Sequence, residues 1–304
     1  MKKLWILVIV SLLLGSCGKK EAEHSSKVIG VSLLTRAHVF YKDLEEGLRT
    51  EAAKDGYELV VTSGDMDLGK QSSQVEDFIA RKVDAIILCP VDSRGIGPAI
   101  KKANDAKIPV FTADIASQEG DVVCHVASDN VAGGRLAGEY LAKILDGKGK
   151  VAIIGQPTVT SVLDRTQGFK EVIAKYPGIT IVQEVNAEGV RDKALQATSD
   201  ILQAHPDLNG IFGINDDSAL GALDAVNQFN RSGVNIIGYD ATPPAADAIA
   251  KGTALKADVV QYPIKIGEMT VMKIKEYFSG SIPGKVVPVE VGIVDKESLA
   301  KGTR

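Results

Sequence analysis

Cysteine is scarce in this chain, with three among 304 residues, so a disulfide-stapled scaffold is excluded. A strong charge of one sign is also missing. Lys and Arg number 35 against 39 Asp and Glu, a formal charge of −4. That balance argues against nucleic acid or an anionic membrane surface as partner. Beyond residue 14 no long apolar run occurs, so the folded part is expected to be soluble. Catalytic signatures are missing too. Gly147-Lys148-Gly149-Lys150 lacks phosphate-loop spacing, and Gly133-Gly134-Arg135 is no dinucleotide fingerprint. The four histidines (His24, His38, His125 and His205) are scattered, without metal-ligand spacing. Asp114 and Asp240 could be imagined as a glycosidase-like acid–base pair, but no other motif supports it. The chain is therefore not expected to be an enzyme, and neither cofactor nor metal is implied.

The N-terminus carries an address. Lys2 and Lys3 precede an apolar stretch over 4–14, then Gly15, Ser16 and Cys17. A charged start, a short apolar core and small residues at its end make an export signal. The stretch is too short to span a bilayer, which takes about 20 residues. Leu14-Gly15-Ser16-Cys17 resembles the bacterial lipobox, implying cleavage before Cys17 and a lipid on its sulfur. Residues 18–27 are polar without periodicity and read as a flexible tether. The chain is thus expected to be exported and lipid-anchored to the bacterial cell envelope, in the periplasm or on the outer face of the membrane.

From residue 28 strand and helix patterns alternate. Strands are expected over 28–34, 57–62, 85–89 and 109–112, with helices over 40–55, 70–81 and 96–106. The cycle restarts after Ser128-Asp129-Asn130. Helices over 133–145, 167–175, 193–204, 219–229 and 244–251 alternate with strands over 151–155, 179–185, 210–214 and 234–239. A last strand, helix (265–278) and strand-like run (286–294) are too little for a third domain. Such alternation predicts an α/β fold with two Rossmann-like lobes, each a parallel sheet covered by helices. Cys89 and Cys124 lie in separate strand-like runs and read as small buried hydrophobes, although a disulfide between them is also compatible with the sequence.

Four polar residues each sit just past an apolar run: Asp114, Asn215, Asp240 and Gln261. Open α/β sheets bind ligands beyond the carboxyl ends of their strands, so the set predicts one polar small-molecule pocket. Each alone has a bland explanation as a turn former or helix cap.

Three blocks carry a resemblance. They are His125-Val-Ala-Ser128-Asp129-Asn130 with Gly133-Gly134, then Phe212-Gly-Ile-Asn215-Asp216-Asp217, then Ile237-Gly238-Tyr239-Asp240-Ala-Thr242-Pro243. Together they resemble the type I periplasmic sugar-binding proteins, especially the ribose binders, in order from about residue 28 to about 291. The resemblance implies two lobes joined by a three-segment hinge near 128–130, 261–263 and 288–291. One lobe would comprise 28–128 with 262–290, the other 129–261 with 291–304. It also implies the substrate-binding component of an ABC sugar importer, capturing a monosaccharide by hinge closure for membrane permease subunits. A lipid-anchored sugar receptor feeding a chemotaxis or two-component sensor is the alternative. The protein is expected to act as a monomer.

Carried over by position, Asp114, Arg165, Asn215, Asp240 and Gln261 match the family's polar ligand contacts, and Phe40 and Tyr41 its stacking aromatics. The chemistry suits a sugar, whose hydroxyls both donate and accept and whose ring has apolar faces. Arg165 reads as lying just before a helix, and its loss should weaken binding while leaving the fold intact. Departures are informative. An arginine beside the cleft aspartate in ribose binders is Ile115 here, and a further stacking aromatic is Gly189. His38 stands in place of an asparagine, and Arg36 adds a charge that ribose binders lack; both are weaker candidates for replacing the lost arginine. A pentose, hexose, ketose or polyol fits this reading.

Overall fold

The computed structural model describes residues 26–302. The expected signal segment, Cys17 and most of the tether lie outside the described residues. The first run of elements is β1 (Val28–Leu33), α1 (Val39–Lys54), β2 (Glu58–Ser63), α2 (Leu68–Arg81), β3 (Ala85–Leu88), α3 (Gly97–Asp105), β4 (Val110–Ala113) and β5 (His125–Ser128). The second is α4 (Asn130–Ile144), β6 (Lys148–Gly155), α5 (Thr160–Ile173), β7 (Gly178–Asn186), α6 (Arg191–Ala204), β8 (Leu208–Gly213), α7 (Asp216–Gln228), β9 (Asn235–Asp240), α8 (Pro243–Ala250) and β10 (Leu255–Val260). The chain closes with α9 (Pro263–Phe278), β11 (Val286–Val289), β12 (Gly292–Asp295) and α10 (Lys296–Ala300).

Two six-stranded sheets result, ordered β11-β5-β4-β3-β1-β2 and β12-β10-β9-β8-β6-β7. All pairings are parallel except β12 against β10. Central strands such as β3 (Ala-Ile-Ile-Leu) are buried throughout, as helices on both faces of a parallel sheet require. The alternating α/β architecture expected from the pattern is the one observed.

Three readings need correction. The run over 286–294 is not one strand. It breaks at Glu290 and Val291, placing β11 on the edge of the first sheet and β12 on the edge of the second. Pro288 sits within β11, tolerable because that strand is an edge. The helix expected from 167 begins at Thr160. Its N-cap is Val159, which offers no side-chain bond, so no capping signal marked the start. Finally, α10 was not anticipated; Asp295 and Ser298 close a capping box at its start.

Helix α5 packs closely against α4. A Cβ on Gly134 would come 2.0 Å from the Arg165 carbonyl oxygen, and one on Gly168 would come 2.1 Å from that of Val131. Only glycine lets the two helices approach so closely, and this approach places the Arg165 side chain beside Asn130. No helix among the described residues is long and apolar enough to cross a membrane.

Candidate functional site

The carboxyl ends of strands from both sheets face one cavity of about 170 Å³. Asp114 directly follows β4, Gln261 directly follows β10, Asp240 ends β9, and Asn215 caps α7 just beyond β8. All four line the cavity, with Arg165, Phe40, Tyr41 and His38. Arg36 does not: its guanidinium forks onto Glu45, with both bonds 3.0 Å. Arg36 was a candidate to replace the arginine lost at Ile115, but Glu45 on α1 supplies its carboxylate outside the cavity.

Asp114 is 4% exposed. Its backbone lies at φ +65°, which aims the chain sharply off the strand. The Tyr41 hydroxyl donates to Asp114 Oδ2 at 2.7 Å, while Oδ1 has no partner among the described residues. Burial pushes the Asp114 carboxyl up to about 6, against the opposing pull of Arg165 and the Tyr41 bond. Tyr41 therefore serves as a hydrogen-bond donor, and it meets Phe40 edge-on, with ring centroids 5.1 Å apart at 76°.

Arg165, also 4% exposed, lies in the second turn of α5 rather than before it. Nε donates to Asn130 Oδ1 at 2.8 Å and Nη1 to the Ile214 carbonyl at 2.7 Å. The guanidinium carbon stands 3.9 Å from the centre of the Tyr239 ring, a cation–π contact. The arginine thus binds α4, α5 and the end of β8 together.

Asn215 fills the helix-cap role and also lines the cavity. Its Oδ1 accepts from Ser218 N–H at 2.9 Å as a helix cap, and Nδ2 donates to the Gly189 carbonyl at 3.0 Å. Gly189 itself lines the cavity at φ +65°, where a Cβ would come 2.7 Å from Gln156 Oε1. The backbone there suits glycine, so the missing aromatic is replaced by main chain.

Asp240 Oδ1 accepts from Gln261 Nε2 at 2.6 Å. The Gln261 amide oxygen has no partner among the described residues. His38 caps α1: its Nδ1 accepts the Phe40 N–H at 3.1 Å, which leaves the ring proton of the neutral form on Nε2. That nitrogen lies 3.4 Å from Asp240 Oδ2 and 4.0 Å from Asp217 Oδ2. His38 on α1 thus faces carboxylates carried by β9 and α7.

Asp217, Gln156, Glu188 and Ser161 also line the cavity and were missed from the sequence. Gln156 obeys the same rule as Asp114, standing immediately after β6. It could have been found. Glu188 follows no apolar run and carries no such signal.

The site offers buried acceptors from Asp114 and Gln261 with donors from Arg165 and His38, in a space small for a ligand pocket, where about 300–1,000 Å³ is usual. This arrangement fits a compact molecule rich in hydroxyls. A family model described as a periplasmic binding protein domain matches residues 29–282. The chain is 33% identical over 298 residues to the ribose import binding protein RbsB of Salmonella typhimurium, covering 98% of this chain and 99% of that one. It is also 33% identical to the xylitol-binding protein of Mycolicibacterium smegmatis over 247 residues, 80% of this chain and 70% of the relative. Among solved structures, an ABC transporter periplasmic solute binding protein from Actinobacillus succinogenes with bound D-allose superposes with a TM-score of 0.83. Its identity is 30%, over 91% of this chain and 100% of that one.

Proposed function

The chain belongs to the type I periplasmic sugar-binding protein family, and from that premise we propose that it captures one monosaccharide or small polyol between two lobes for an ABC importer. The lobes in this reading are 28–128 with 262–290 and 129–261 with 291–304, meeting at the cavity. One observation carries the ligand class: unpartnered buried acceptors at Asp114 Oδ1 and Gln261 Oε1 line the same cavity. A buried acceptor without a donor costs about 1–3 kcal/mol, and sugar hydroxyls supply the missing donors.

Asp114, Phe40 and Tyr41 would hold the sugar from the first lobe, and Arg165, Asn215, Asp240 and Gln261 from the second and its crossing. Because both lobes contribute, the sugar binds the closed arrangement better than the open one. That differential affinity is what shifts the equilibrium. His38 opposite Asp240 and Asp217 adds an attraction across the cleft. Export and lipid attachment at Cys17 would hold the protein, acting as a monomer, beside the permease.

A thermal-shift panel of pentoses, hexoses, ketoses and polyols tests this. A ligand at 100 times its dissociation constant adds about 2.7 kcal/mol to the native state. At least one monosaccharide or polyol is expected to raise Tm. A panel with no stabilising member would refute the sugar reading.

A further inference from the structure

Behind Asp240 two more carboxyl groups are buried, and no cation among the described residues pairs with either. Asp216 opens α7 and is 1% exposed; Asp258 lies within β10 and is 0% exposed. Asp216 Oδ2 accepts the Thr242 N–H at 2.7 Å, and Asp258 Oδ1 accepts the Ala241 N–H at 3.1 Å. Their remaining oxygens, Asp216 Oδ1 and Asp258 Oδ2, find no donor among the described residues. The N–H groups that they hold belong to adjacent residues, Ala241 and Thr242, so the two carboxyl groups lie side by side against the same turn. Gly238 makes room for the Asp258 carboxyl group: a Cβ there would come 2.5 Å from Asp258 Oδ2.

Two ionised carboxylates in contact inside a protein repel strongly, and a single proton between them removes the conflict. It also turns two unpartnered acceptors into one donor and one acceptor. The backbone gripped by this pair is the turn that follows Asp240. Asp240 has φ +115° and Ala241 φ +55°, a region that side-chain-bearing residues avoid. The Asp216 N–H also reaches Asp240 Oδ2 at 3.4 Å. The strained turn is therefore held from α7 and from β10 at once.

We propose that Asp216 and Asp258 share one proton, and that this pair is the positioning device that keeps Asp240 at the cavity wall. The assignment rests on the reading of Asp240 as a ligand contact. Burial comes first among the causes that raise both acids, with repulsion from Asp240 adding to it. Repulsion from Asp216 also raises Asp258. Other charged groups facing this corner are Asp240 from β9, Asp217 from α7 and His38 from α1, the last 3.4 Å from Asp240. Arg191 of α6 is engaged further along α7 by Asp224. Because folding raises both acids, the stability they lend is full at low pH and is lost as pH rises through their folded values. Loss of the shared proton should release the turn and move Asp240.

The test is a pH titration of the ligand-free protein carrying ¹³Cγ-aspartate, followed by NMR. One proton is expected to stay with the Asp216–Asp258 pair at neutral pH, and the two signals to move together on the alkaline side. The Asp240 signal should move at the same midpoint. In Asp258→Asn, whose amide donates to Asp216 without titrating, Asp240 should stay at its neutral-pH position throughout. The Tm of that variant should also fall less between pH 7 and 9 than that of the unaltered protein; Asp216→Asn provides the same comparison. Asp216 and Asp258 both titrating near the ordinary value of about 3.9 would overturn the proposal. So would an Asp240 signal that ignores their titration. No sugar is needed, so this assignment and the sugar reading fail separately.

Discussion

Replacing Arg165 by methionine separates a ligand contact from a structural tie. Sequence reasoning expected the loss of this side chain to spare the fold, but the structure places it at the junction of α4, α5 and β8. The substitution removes the 2.8 Å bond to Asn130, the 2.7 Å bond to Ile214 and the stacking on Tyr239. Hydrogen bonds from a charged group contribute about 1.5–3 kcal/mol each. A desolvated cation–π contact adds about 2 kcal/mol. Asn130 keeps the Tyr239 hydroxyl at 3.3 Å, whereas the Ile214 carbonyl loses its Arg165 donor. Against this stands the desolvation cost of a buried cation, which methionine avoids. The net destabilisation should be about 2–4 kcal/mol, a large share of a domain stability of about 5–15 kcal/mol. Urea unfolding at pH 7 reads it as a lower midpoint with unchanged slope. Removing the Arg165 charge should also push the Asp114 acid above about 6, since that charge holds it down. An unchanged midpoint, or an Asp114 that titrates as before, would refute this reasoning.

Further outcomes follow from the same geometry. Burial pushes the Asp114 carboxyl from its ordinary 3.8 up to about 6, so folding favours its acid form. The ligand-free protein should therefore lose about 3 kcal/mol of stability from this group as pH rises from about 4 through about 6, and Asp114→Asn should abolish that slope. Sugar hydroxyls donating to the carboxylate would favour its ionised form. Binding near pH 6 should then release protons, measurable by calorimetry in buffers of different ionisation enthalpy; proton uptake would contradict the assignment. Gly189→Ala places a side chain at φ +65° and 2.7 Å from Gln156 Oε1, so it should cost about 1–2 kcal/mol in chemical denaturation. Cys89 and Cys124 are buried free thiols, and both should react with a thiol reagent only after unfolding.

Strand ends were legible because a strand buried on both faces is a continuous apolar run, and its first polar residue marks the carboxyl edge. Asp114, Asn215, Asp240 and Gln261 were found this way, and Gln156 could have been. The start of α5 was hidden because Val159 supplies no capping side chain. The division between β11 and β12 was missed by the apolar pattern, which runs on over 286–294, whereas the family resemblance put a crossing near 288–291. Pairing with different sheets separates the two strands. Asp216 and Asp258 lie far apart in sequence, and only the fold brings them to the same turn at Ala241 and Thr242. Arg36 shows the reverse case: a charge near the site in sequence is drawn away by Glu45.

The most direct test of the central claim is calorimetric titration of the best-stabilising sugar into the unaltered protein, Asp114→Asn and Asp240→Asn. These two carboxylates come from different sheets. A sugar enclosed between them should bind one per chain, and each substitution should weaken it about tenfold or more. If either variant binds as tightly as the unaltered protein, the sugar rests on one sheet alone and capture between two lobes is wrong.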